Sequence, residues 1–146
     1  MIDAGDLCMK IIQVVGNSNS GKTTFIKNLI PELKKKGNVA VVKHLGDHTY
    51  IIEEGKDTTV FFNAGADISV GIDSDKAVAA IRKNTLDDVL GMLLDQHMDF
   101  AIIEGFKQRS FPKIVIGNLT ADTTILTNPS VDEVISSLNL FETFRE

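Results

Sequence analysis

Met9-Lys10-Ile11-Ile12-Gln13-Val14-Val15 followed by Gly16-Asn17-Ser18-Asn19-Ser20-Gly21-Lys22-Thr23 is the stretch that decides the fold. An apolar run of strand length feeds a G-x-x-x-x-G-K-[ST] loop. Thr24 to Lys36 then reads as a helix, with Phe25, Ile26, Leu29, Ile30 and Leu33 on one face. Strand, loop and helix in this order are what a polyphosphate cradle requires. Gly16 and Gly21 are expected to adopt dihedrals that a Cβ would forbid. The loop amides then turn inward around an anion, which also faces the positive end of the helix dipole. Lys22 supplies a point charge for the outer phosphates, and the Thr23 hydroxyl can ligate Mg²⁺. We take residues 16–24, including Asn17, Ser18, Asn19, Ser20 and Thr24, as the candidate nucleotide-binding stretch. A chance match in a chain this short is expected on the order of once in a few hundred chains.

Outward from the loop, the chain alternates strands and helices. Gly37 reads as a helix C-cap. Asn38 to His44 reads as a parallel strand covered on both faces, since Val39, Ala40, Val41 and Val42 are nearly continuous in apolarity. Pro31 is expected to weaken or kink the first helix. Leu45 to Lys56 reads as a loop, and Asp57 as the N-cap of a short helix, Thr58 to Ala64, ending at Gly65. Ala66–Ile72 and Lys76–Arg82 form a hairpin around Asp73-Ser74-Asp75. Thr85 caps a helix through Gln96. Asp99–Glu104, Lys113–Gly117 and Thr123–Thr127 are further strands, and Pro129 or Ser130 opens a last helix. The expected fold is α/β: a three-layer, P-loop NTPase-like, mostly parallel sheet flanked by helices, with a small β-hairpin insertion. Residues 1–8 read as a flexible N-terminal extension and 9–146 as one nucleotide-binding domain.

Composition narrows the partners. Hydrophobic residues make up 43% of 146, enough for a core, while the longest apolar runs fall far short of the roughly 18 needed to span a bilayer. The acidic start, with no apolar segment, is not that of a secretory signal. Cys8 is the only cysteine, so neither an internal disulfide nor a cysteine-based zinc site is available. A cytoplasmic protein is the simplest expectation. Net charge is −5, and Lys34-Lys35-Lys36 is read as a solvated helix end, which argues against a nucleic-acid partner.

A phosphate loop needs a second acid at the end of a neighbouring strand. Phe100-Ala101-Ile102-Ile103-Glu104-Gly105 supplies it: Glu104 is placed on the loop's edge of the sheet and Asp99 on the far one. Lys22 and Glu104 are therefore the candidate catalytic residues, and Thr23 and Glu104 the candidate Mg²⁺ ligands. No Asp-x-x-Gly follows a strand in the expected place, and no Asn-Lys-x-Asp occurs, so spacing does not reveal the base. Arg82, Arg109 and Arg145 are the only arginines. Arg109 and Lys107 are the candidates to reach a γ-phosphate, although a surface charge is the simpler reading of each. His44, Asp47 and His48 read as loop residues rather than a zinc site. His97 reads as a helix-end residue, and Gln108 as a weak candidate to orient water.

The loop 16–24, Val42-Lys43-His44, Gly55-Lys56-Asp57-Thr58, Ala64-Gly65-Ala66 and Ile103-Glu104-Gly105-Phe106-Lys107 occur in an order that resembles the molybdopterin-guanine dinucleotide biosynthesis protein B family. The likeness runs from about Lys10 to about Thr127. It implies a GTP-binding protein with weak Mg²⁺-dependent GTPase activity, usually a homodimer. Such a protein acts beside the protein A enzyme, which attaches GMP to molybdopterin. It also implies that Lys43, His44, Lys56, Asp57 and Lys107 line or support the same edge. Residues 45–54, with Glu53 and Glu54 ahead of Gly-Lys-Asp, depart from the family pattern. Two other readings stay open: a small-molecule kinase, and a module that holds a nucleotide or pterin without hydrolysing it.

Overall fold

The computed structural model describes residues 6–46 and 56–146. It divides into two compact units, residues 1–44 with 90–146, and residues 45–89.

The first unit is organised by strand β1 (Met9–Val15), which carries Ile11, Ile12, Gln13, Val14 and Val15 with almost no exposed surface. A strand buried on both faces needs hydrogen-bonded neighbours on both sides. On one side β5 (Phe100–Glu104) pairs in parallel, and β2 (Val39–Lys43) pairs with β5 in turn. On the other side β6 (Lys113–Val115) pairs in parallel with the second half of β1, and β7 (Thr124–Thr127) pairs with β6. A short C-terminal strand, β8 (Glu142–Phe144), runs antiparallel to Met9–Ile11. The sheet order is β2-β5-β1-β6-β7, with β8 on β1. This is the mostly parallel sheet expected. Only β8 is antiparallel in it, and three residues of ordinary polarity gave no signal for that strand.

Helices flank the sheet. Helix α1 (Lys22–Lys34) packs Ile26, Leu29 and Leu33 into a core with Ile12, Val14, Phe100, Ile102, Ile114, Val134 and Phe141. Full burial of one such aliphatic side chain contributes about 1.5–3 kcal/mol. The helix starts two residues before the expected Thr24, because Gly21 in a left-handed conformation (φ 96°) already offers its carbonyl to Phe25 N–H at 2.9 Å. Pro31 lies inside it. Helix α4 (Val131–Ser136) opens at Ser130 with a reciprocal capping box: Ser130 Oγ accepts from Glu133 N–H, and Glu133 Oε1 accepts from Ser130 N–H.

Two expectations about this unit need correction. Strand β2 is not covered on both faces, since Val41 stays 45% exposed, and it is an edge strand that pairs with β5 alone. An apolar run marks a strand but does not separate an edge from a centre. Gly37 does bond to the end of α1, N–H to Leu33 carbonyl at 3.2 Å, yet it is not left-handed. Its missing Cβ makes room for the Asp99 carboxylate, 2.5 Å from where a Cβ would stand. That carboxylate accepts the Asn38 N–H at 2.7 Å. Asp99 thus works at the far end of β5, as expected.

In the second unit, helix α2 (Asp57–Asn63) precedes the hairpin of β3 (Ile68–Ile72) and β4 (Ala77–Ile81). The cap of α2 is Lys56, not Asp57, which lies in the first turn, where its charge suits the helix dipole. The hairpin turn is held by Asp73, which accepts from Asp75 N–H, Lys76 N–H and Lys76 Nζ at 2.7, 2.8 and 2.9 Å. The Lys76 bond, first, and the two amides hold the Asp73 carboxyl below its ordinary value of 3.8. Arg82 donates to the carbonyls of Phe62 and Ala66 and lies 4.0 Å over the Phe62 ring. Helix α3 (Leu86–Asp95), whose residues from Leu90 on belong to the first unit, begins after Thr85, whose Oγ1 accepts from Asp88 N–H at 3.1 Å. Ile68, Val70 and Ile72 form an apolar, exposed row on β3.

One buried cation stands in the first unit. Lys113 is 1% exposed, and its Nζ donates to the carbonyls of Arg109 and Phe111 and to Thr123 Oγ1. Burial pushes its ammonium below the ordinary 10.5, against the opposing pull of Asp122. Those acceptors fasten the chain between β5 and β6. Lys113→Ala is expected to cost about 2–4 kcal/mol through the lost stem packing and the stranded acceptors. Lys113→Met, which keeps the stem, should cost less. Urea melts check both, and equal stability of all three proteins would show that the ammonium fastens nothing.

Candidate functional site

The carboxyl ends of β1, β5 and β2 meet on one edge of the sheet, which is where ligands collect in open α/β folds. Beyond Val15 the chain turns through residues 16–21 into α1. Asn19 (φ 62°) and Gly21 (φ 96°) are left-handed, and Ser20 N–H donates to Asn17 carbonyl at 3.1 Å. Gly16 is required for a different reason than expected. Its φ is not positive, but a Cβ there would stand 2.5 Å from the Ile116 carbonyl and 2.8 Å from Ser20 Oγ. The loop therefore wraps against the end of β6 with no space to spare.

Two polar groups of this loop are turned inward. Ser20 Oγ is buried with no hydrogen-bond partner. Buried hydroxyls are nearly always bonded, so this one has capacity left for a partner from outside the chain; among the described residues Gln13 Oε1 is the other such atom. The Lys22 ammonium curls back to donate to the Gly16 carbonyl and, at 3.5 Å, to that of Asn17. Asn17, Ser18, Asn19, Thr23 and Thr24 are exposed, with both threonines in the first turn of a 13-residue helix. An anion at this helix end meets free amides and the positive end of the dipole.

Register brings Glu104 to the loop's edge. Val14 is opposite Glu104, and Gly105 N–H donates to the Val14 carbonyl at 3.0 Å. On the other side Lys43 is opposite Glu104, with Nζ 3.9 Å from Oε1. The Glu104 side chain is 13% exposed and that of Lys43 57%. A pair so open on the lysine side contributes no more than about 1 kcal/mol, and the lysine can swing to another anion. His44 N–H donates to the Glu104 carbonyl at 2.9 Å, and the His44 ring stacks on Phe106 at 4.4 Å between centroids.

Sequence reasoning missed what holds this corner. Gln13, fully buried in β1, donates through Nε2 to the carbonyls of Gly105 at 2.8 Å and Phe106 at 2.7 Å. Both residues are left-handed, at φ 92° and 53°. A bulky residue in that region is strained, so the turn needs fixing from outside. The signal was present: a glutamine in the middle of a strand buried on both faces must find partners.

Other predicted residues fall elsewhere. Lys107 and Gln108 are exposed just past this turn. The Arg109 guanidinium lies 5.0 Å over the Phe111 ring. Lys56 and Asp57 belong to the second unit. Asp47, His48, Glu53 and Glu54 lie outside the described residues. His97 is left-handed (φ 62°) and closes α3 by donating its N–H to the Leu94 carbonyl. Among the described residues no group of three metal-ligating side chains occurs, and no helix is long and apolar enough to cross a membrane. Mg²⁺ does not need such a group, since it takes one or two protein oxygens together with water and phosphate. The Thr23 hydroxyl and the Glu104 carboxylate are hard oxygen donors of that kind.

A parallel sheet with a glycine-lysine loop between its central strand and first helix, and an acid ending the adjacent strand, defines a P-loop NTPase-like protein. Residues 11–137 match the family model of molybdopterin guanine dinucleotide synthesis protein B, so the chain belongs to that family. It is 38% identical over 112 residues to a putative molybdopterin-guanine dinucleotide biosynthesis adapter protein of Methanocaldococcus jannaschii, with 74% of this chain and 47% of that protein covered. It therefore spans about half the length of that relative. A probable adapter protein of the same name from Bacillus subtilis is 33% identical, with 86% of this chain and 75% of the relative covered. The crystal structure of Bacillus subtilis MobB superposes with a TM-score of 0.65 at 32% identity, covering 82% of this chain and 77% of that one.

Replacing Gln13 with Leu keeps the volume and removes both bonds. The variant should lose about 1–3 kcal/mol, because two half-buried carbonyls are left without their donor. Amide hydrogen exchange at Gly105–Lys107 should quicken more than in the centre of β1. Unchanged exchange there would remove Gln13 from the role of holding the turn.

Proposed function

We propose that this chain is an accessory protein of molybdopterin guanine dinucleotide biosynthesis that binds GTP with Mg²⁺ at residues 16–24 and hydrolyses it slowly. The observation that carries the reading is the juxtaposition of the loop with Glu104, set by the pairing of Val14 with Glu104. The names of the relatives support the pathway. In this reading the loop amides, Ser20 Oγ and Lys22 hold the phosphates, Lys22 leaving the Gly16 carbonyl to do so. Thr23 and Glu104 hold Mg²⁺, which neutralises phosphate charge when bound. Lys43, freed from Glu104, His44 and Lys107 face a phosphate or a second ligand; Lys56 and Asp57 are candidates by family likeness alone. The partners are the GMP-transferring protein A enzyme and a molybdopterin species. A kinase reading is less well supported, because Arg82 is committed to Phe62 and Ala66 and Arg109 to the Phe111 ring. Phosphoryl transfer to a metabolite would revive it.

GTP·Mg²⁺ at 100 times its dissociation constant should stabilise the fold by about 2.7 kcal/mol, seen as a thermal shift that ATP·Mg²⁺ does not match. Glu104→Gln should keep much of that shift and lose Mg²⁺-dependent hydrolysis. An ATP preference would sink the GTP reading, and hydrolysis unchanged in the variant would remove Glu104 from catalysis.

We also propose a homodimer, supported by the apolar row Ile68, Val70 and Ile72 on the β3–β4 hairpin. Sedimentation at micromolar concentration should give a dimer that Ile72→Lys weakens. Monomer alone in the unaltered protein would contradict this.

A further inference from the structure

The ladder of β5 ends at Glu104. The Glu104 carbonyl accepts the His44 N–H at 2.9 Å, and Gly105 N–H reaches the Val14 carbonyl at 3.0 Å. The next two residues, Gly105 (φ 92°) and Phe106 (φ 53°), are left-handed. Glycine adopts that conformation freely. For phenylalanine it is strained and persists only where the surroundings impose it. Two sets of contacts do so. The Phe106 carbonyl accepts Gln13 Nε2 at 2.7 Å and Arg109 N–H at 2.9 Å, which fastens the main chain. The Phe106 ring stacks on the His44 ring, 22° from parallel with centroids 4.4 Å apart, which fastens the side chain. The histidine also lies against the turn itself: a Cβ at Gly105 would stand 3.0 Å from His44 Cβ.

The ring pair is not a core contact. His44 is exposed and Phe106 half-buried, at the end of the sheet where Glu104 emerges. The Glu104 carboxylate has Lys43 Nζ 3.9 Å away, and Lys43 is open to solvent, so that contact fixes no direction. The direction of the carboxylate is then inherited from its main chain, and the ring pair holds the two residues that follow it. We propose that Phe106 and His44 form a clasp that aims Glu104 at Mg²⁺, with Phe106 a positioning residue that acts through the turn. The inference rests on the reading of Glu104 as a Mg²⁺ ligand. His44 enters the clasp through its ring, whether or not its nitrogens also meet a second ligand. The clasp can add no more than the stack supplies, about two- to tenfold in an equilibrium.

The test uses Phe106→Leu, which keeps an apolar side chain and removes the ring, Phe106→Tyr, which keeps the ring, His44→Ala, and the double variant Phe106→Leu/His44→Ala. Amide hydrogen exchange is measured on the protein without ligand, and GTP affinity is measured with and without Mg²⁺. In Phe106→Leu and His44→Ala, exchange should quicken at residues 105–107 and hold in the centre of β1, which shows that the sheet is folded. GTP affinity without Mg²⁺ should hold, and the gain that Mg²⁺ brings should fall about two- to tenfold. Phe106→Tyr should match the unaltered protein in both measurements. The double variant should be no worse than the worse single one, because both changes remove the same contact. Unchanged exchange at residues 105–107 would overturn the clasp. Quickened exchange with the full Mg²⁺ gain would make the ring pair structural only and overturn its positioning role, as would losses that add in the double variant. Absence of any Mg²⁺ gain in the unaltered protein would instead overturn the reading of Glu104 as a metal ligand.

Discussion

The pairing of β1 with β5 is the constraint on which the rest of the first unit depends. Lys10 to Val14 run in parallel beside Phe100 to Glu104, both strands buried almost throughout. Side chains alternate faces along a strand, so a slip of one residue would turn Ile102 and Val14 out of the core. It would also carry Glu104 away from the loop that starts two residues after Val14. The apolar contacts that fix the register therefore fix the site. Gln13 adds a polar lock in the same strand, aimed at the turn that follows Glu104.

Charge is distributed along the edge in a way that suits an anionic ligand. Lys22 donates to carbonyls of its own loop, and Lys43, open to solvent, stands 3.9 Å from Glu104, so both cations lie where an anion could reach them. Ser20 Oγ has no hydrogen-bond partner. The deep cation, Lys113, is instead satisfied by two carbonyls and a hydroxyl and serves the fold. Burial separates the structural lysine, Lys113, from the two accessible ones at the loop's edge.

Much of this was legible in the sequence. The strand-loop-helix of residues 9–34, the acid at Glu104, the Asp73 turn and the Ser130 cap follow from local chemistry: periodicity, glycine spacing and side chains that bond to nearby amides. What was not legible depended on distant chain. The edge position of β2, the strand Glu142–Phe144 and the reason for Gly37 are set by partners about 60 or more residues away. Gln13 was readable in principle, since a polar residue in a doubly buried strand must be bonded, but its partners Gly105 and Phe106 were not. The strand pattern put Lys43 and His44 on the edge of the sheet that carries Glu104, and the pairing of β2 with β5 sets them there; Lys56 and Asp57 were candidates through family likeness alone.

The measurement that tests the account most directly is a crystal structure of the protein with Mg²⁺ and a non-hydrolysable GTP analogue. The account predicts the triphosphate within residues 16–23, Lys22 Nζ moved from the Gly16 carbonyl to the outer phosphates, Ser20 Oγ bonded to the ligand, and Mg²⁺ between Thr23 and Glu104. A nucleotide bound elsewhere, with Lys22 still on the Gly16 carbonyl, would contradict it.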